Sequence, residues 1–143
     1  MYELKTGRTF LVRLAPGSDL LEGITEKVVR SGVRAGLISG IGALRKAAVG
    51  IFDEKTQEYH INHIDRELEI CALTGNVSLK DSEPFVHCHL TLSDREGKAF
   101  GGHCISGCEV FVCELTIIEL LGDSPVREPQ DECGGLALWP RQD

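Results

Sequence analysis

The sequence predicts an α/β protein of the α+β kind, a mainly antiparallel β-sheet flanked by helices. Three observations carry this. Six stretches after Arg34, at 35–41, 47–52, 68–74, 85–93, 98–105 and 110–120, are continuous apolar runs or alternate with period two. Glycine and Asp/Asn punctuation separates them, at Gly40-Ile41-Gly42, at 53–57, at Gly75-Asn76 and at Asp94-Arg95-Glu96-Gly97. Only one long helical pattern is present, which argues against strands and helices alternating in a βαβ series.

The elements follow in order. Residues 9–14 are β-rich and stop at Ala15-Pro16-Gly17, giving an opening strand. Ser18 or Asp19 can then cap a helix in which Asp19 and Glu22 form a capping-box-like pair. Leu20, Leu21, Ile24 and Val28 share one face of that helix, and Gly32 ends it. The six strand candidates come next, with a short helix expected near Asp81. Gly40-x-Gly42 is not a dinucleotide fingerprint, because no third glycine and no helix start follow. After Leu121 the composition turns polar, so the chain divides into a body at 1–121 and a tail at 122–143. The apolar end of the tail, Leu136 to Pro140, is suited to docking on the body or on a neighbouring subunit.

With 143 residues, 42% of them hydrophobic, one domain with a real core is expected and disorder is excluded. No run approaches the roughly 20 apolar residues that span a bilayer, and Met1-Tyr2-Glu3-Leu4-Lys5 lacks the plan of a signal peptide. A soluble, cytoplasmic protein without a membrane partner is therefore expected. The net charge of −7 works against broad attraction to nucleic-acid phosphates. The six cysteines contain no C-x-x-C pair and are expected to be free thiols, mostly small buried hydrophobes such as Cys71 and Cys113. Cys104 and Cys108, among glycines, could approach a metal or redox site.

The histidines carry the chemical signal. His87 and His89 are two apart on a strand, so both imidazoles leave one face, roughly 6.5–7 Å apart at the backbone. If Asp94 to Lys98 forms a hairpin with a three-residue loop and Gly97 in the left-handed position, Asp94 pairs with Lys98. Counting outward then sets His103 opposite His89, with His87 diagonal to His103, and turns Cys88 and Cys104 to the other face. A two-residue loop would send His103 to the wrong face. Gly101 and Gly102 leave room beside the imidazoles for a ligand or another backbone. Three neutral imidazoles favour Zn²⁺, with other divalent transition metals possible, and leave one coordination position open for a small-molecule ligand or for hydrolytic chemistry. His60 and His63 fall in a polar connection and are expected to be exposed loop residues. Glu69 and Glu114 stand inside apolar strands, as base candidates or partners for an imidazole, or else in ion pairs with Arg13, Arg34 or Arg66 or simply exposed on the wet face of the sheet.

These residues resemble the plants-and-prokaryotes conserved (PPC, also PCC) domain family. The resemblance runs through Pro16 to Leu21, Ser39 to Leu44, Glu69 to Gly75, His87 to Asp94, Gly97, and Gly101-Gly102-His103. It implies a compact α/β domain with an antiparallel sheet that assembles as a homotrimer. It also implies a metal held by histidines matching His87, His89 and His103, near a subunit boundary. Plant members join this domain to an AT-hook and bind DNA, but no Arg-Gly-Arg-Pro element or basic cluster is present here. The sequence thus favours a zinc-binding protein with an open three-histidine site. A DNA-binding regulator and a metal-dependent assembly or ligand-sensing module are the alternatives.

Overall fold

The computed structural model describes residues 1–141. Strand β1 (Lys5–Arg13) leads into helix α1 (Leu20–Ser31), the one α-helix among the described residues, so the helical cover is single where flanking helices were expected. Asp19 is the N-cap: its Oδ1 accepts from the Glu22 amide at 3.0 Å. Gly32 closes the other end in the left-handed conformation. Leu20, Ile24 and Val28 are fully buried, and the helix packs beside β5 (Glu83–Ser93).

The largest departure from the sequence reading is β2 (Gly36–Asp53), one strand of 18 residues where two were expected. Gly40-Ile41-Gly42 lies inside it. Register shifts at Gly40/Gly42 and between Ala43 and Lys46 bend the strand, letting it serve two sets of neighbours. Its first half pairs with β4 (Leu68–Lys80) and β7 (Glu109–Leu121), and its second half with β3 (Glu58–Ile64) and β6 (Ala99–Cys104). Gly75-Asn76 is likewise inside β4 and not a turn. There the strands approach so closely that a Cβ on Gly75 would meet the His87 carbonyl.

The sheet order is β1-β7-β2-β4-β5-β6, and a further β2–β6 pairing closes β2, β4, β5 and β6 on themselves. Cys88, Leu90, Cys104 and Val49 face the buried interior, within one core that also takes in the apolar face of α1. Three other expectations are corrected. The segment with His60 and His63 is strand β3, which pairs only with β2; both histidines are exposed, and the polar character that read as a connection belongs to a wet edge strand. The expected helix near Asp81 is a two-residue hairpin turn, Asp81 and Ser82 both having positive φ between paired Lys80 and Glu83. Cys71 is exposed, its thiol 3.3 Å from the Ser93 hydroxyl.

Residues after Leu121 fold back onto the sheet. The Arg127 amide donates to the Leu79 carbonyl at 2.7 Å, and the Leu79 amide to that of Pro125 at 2.9 Å. Beyond this the short strands β8 (Glu128–Gln130) and β9 (Leu136–Leu138) pair across a 3₁₀ turn.

Candidate metal centre

The β5–β6 hairpin is the first device of the site. Asp94 and Lys98 close it: the Asp94 amide donates to the Lys98 carbonyl at 3.2 Å, and the Gly97 amide donates to the Asp94 carbonyl at 2.9 Å. The Asp94 carboxylate accepts from the amides of Glu96 and Lys98 at 3.1 and 3.0 Å and meets Arg66 at 3.1 Å. Gly97 has φ +78°, the left-handed conformation this loop requires. His89 consequently pairs with His103. An added Cβ on Gly101 would strike the Leu90 carbonyl, so that glycine lets β6 lie close against β5.

The three rings converge. Centroids are 5.2 Å apart for His87 and His89, 4.9 Å for His87 and His103, and 5.5 Å for His89 and His103. One ring nitrogen from each lies within 4.8 Å of the others. Nδ1 of His103 is buried without a hydrogen-bond partner. Burial is the main cause that pushes His87 down to about 4, helped by Arg127 and the neighbouring imidazoles. Burial also lowers His103, with His89 and Arg127 adding to it. Both rings are therefore neutral near pH 7, the state a metal ligand needs. An orphaned ring nitrogen beside neutral imidazoles fits a divalent transition metal.

The rest of the pocket comes from several elements. Tyr59 of β3 lies against His103 with centroids 5.3 Å apart, and Gly102 lines the same hollow. Arg127, from the segment after the body, was not anticipated. It is 5% exposed; its Nε donates to Ser78 Oγ at 2.7 Å, Nη2 to Asn76 Oδ1 at 2.7 Å and Nη1 to the Ala137 carbonyl at 3.0 Å. Its Nη2 also stands 3.5 Å from His87 Nδ1. Phe85 and Trp139 flank the guanidinium, each ring centroid 5.1 Å from Cζ. No local pattern marks this residue, since its partners are far away in sequence.

The carboxylates lie elsewhere. Glu69 is exposed on β4 and lines a hollow with Arg66 and Phe111; Glu114 is exposed on β7 and lines another with Leu11 and Ile41. Neither forms an ion pair among the described residues, and neither lines the histidine hollow. Cys104 and Cys108 are buried on the opposite face. The Cys108 sulfur accepts from the Ala48 amide at 3.4 Å and approaches the Ala48 carbonyl at 3.3 Å. Hydrogen bonding with Cys108 and Cys88, and burial, hold the Cys104 thiol far above the usual range, so it stays protonated.

A largely antiparallel sheet, partly closed on itself and bearing three histidines on its outer side, defines the class of domain. The chain belongs to the Plants and Prokaryotes Conserved (PCC) domain family, whose profile matches residues 1–121. It is similar to a PPC protein from Pyrococcus horikoshii at 40% identity, covering 100% of this chain and 98% of that one, with a TM-score of 0.94. It is also similar to a protein from Archaeoglobus fulgidus described as metal-containing, at 41% identity, 99% coverage of both chains and a TM-score of 0.92. A bifunctional protein GlmU from a Synechococcus strain is 31% identical over 139 residues, 94% of this chain. The chain spans about a fifth of that relative's length, 21%.

Proposed function

We propose that this protein holds a divalent transition metal, Zn²⁺ by preference, through His87, His89 and His103, and presents an open coordination position to a small-molecule ligand. The observation that carries this is the convergence of three imidazoles around the unpartnered, buried Nδ1 of His103. The metal-containing description of the Archaeoglobus relative supports it. A bound ion would supply Lewis acidity. The chain's own part is to keep the rings neutral and fix their directions. A hydrolytic role would need Glu69 or Glu114 delivered by a neighbouring copy, because within one chain neither lines the hollow.

Self-association as a homotrimer belongs to the same reading. Paired residues share a face of a sheet, and one row of pairs runs Leu11, Thr116, Ser39, Thr74, His89, His103. Leu11 at 85% exposure and Ile41 at 59% are costly to leave in water, and a neighbour covering them would adjoin the histidines. The free cysteines suit the reducing cytoplasm. The acidic net charge gives a DNA-binding reading no support.

Replacing His89 by Ala and measuring bound metal by elemental analysis tests the proposal. The expected result is loss of the ion in a protein that still folds. Unchanged stoichiometry rejects the site.

A further inference from the structure

The hollow that holds the histidines has a volume of about 540 Å³, within the size range of small-molecule sites. In a chain with 22 acidic side chains, the described residues lining it include Lys80, Arg127 and the three imidazoles but no carboxylate. Arg127 is the unusual member. A guanidinium that is 5% exposed is normally matched by a carboxylate, yet its hydrogen-bond acceptors are Ser78, Asn76 and the Ala137 carbonyl, all neutral. Those three acceptors use three of its five N–H donors, and the Nη2 contact to His87 Nδ1 at 3.5 Å engages a fourth. Phe85 and Trp139 hold its plane in place, so it is preorganised.

We infer that the hollow takes a small carboxylate with a short apolar body, its negative charge met by Arg127. This rests on the metal reading above and adds to it the chemical class of the ligand. A divalent ion among neutral imidazoles would add two positive charges to a pocket whose nearest fixed charge is already a buried cation. An anion is the missing counterpart. Its size and polarity are set by the walls: Ile51, Phe52, Phe85, Leu136 and Leu138 line the rest of the hollow and can shelter a few carbons. A phosphate dianion is a poorer match, because it asks for more donors than a largely engaged guanidinium and Lys80 offer and gains nothing from those walls.

The chain's single tryptophan, Trp139, lies against Arg127 and reports on the pocket by its fluorescence. The zinc-loaded full chain is titrated with butyrate, with butyramide as its uncharged counterpart, and with inorganic phosphate. Butyrate should change the Trp139 emission saturably, with the amide and phosphate binding at least about tenfold more weakly. Arg127→Met should weaken butyrate by a similar factor without changing metal stoichiometry, and Arg127→Lys should restore part of it. If Arg127→Met loosens the C-terminal segment, the Trp139 emission of the ligand-free variant will show it. The acid-against-amide comparison in the unmutated protein then decides. Equal binding of acid and amide, tighter binding of phosphate, or no response to butyrate in metal-loaded protein overturns the inference and leaves the metal site standing. Absence of the ion from the unmutated protein overturns the metal site instead.

Discussion

His87 sits where a proton is poorly accommodated, between a guanidinium and two other imidazoles. Its folded value of about 4 lies below the ordinary 6.5, so between those limits the unfolded chain takes up a proton that the folded chain refuses. Metal-free protein should therefore lose stability as pH falls from 6.5 toward 4, and His87→Asn should flatten that part of the curve in urea denaturation. Glu119 acts in a lower window. Arg8 grips it at 2.6 and 2.7 Å and holds it at about 2, below the ordinary 4.5. Its contribution is whole above pH 4.5 and is lost as pH falls toward 2. Glu119→Gln should remove that acid limb while leaving the His87 limb intact. Of the groups around the candidate metal centre, His87 and His89 are legible in sequence because a strand's period of two fixes their common face. Arg127 is not, because only tertiary packing brings it there.

The β5–β6 hairpin shows how an element can transmit a local preference into a site. His103 is legible because the loop length implied by Gly97 sets its register, and the paired His89 and His103 have that register. Gly97 has open space around it but a left-handed backbone, so Gly97→Ala should cost about 1 kcal/mol, roughly 2–4 °C in Tm, with the imidazoles still aligned. Gly101→Ala should do more: its Cβ would collide with the Leu90 carbonyl, driving β6 from β5 and lowering metal content in elemental analysis. Elsewhere the element reading failed for identifiable reasons. Glycines inside β2 and β4 look like turn signals but permit close strand approach. The segment at 43–46 hid the continuity of β2 because its bends, not its side chains, redirect the strand.

The whole molecule joins two surfaces that local patterns treat separately. Alternation predicts which residues of one strand share a face, but not that β2 is long enough to carry the β1–β7 face into the histidine hollow. Leu11, Leu37 and Ile41 on that face are at least half exposed in a single chain. Leu11→Asp should break the proposed trimer, giving monomers by light scattering at micromolar concentration; an unchanged mass would move the interface elsewhere.

The profile match ends at residue 121, while the buried guanidinium beside His87 is at residue 127. In the proposed site, the residues that would hold the ion and the guanidinium that would meet its ligand thus come from separate stretches of polypeptide, one within the sheet and the other folded back onto it. On that proposal, exchanging the covering stretch between relatives should re-tune selectivity while metal content stays as it was.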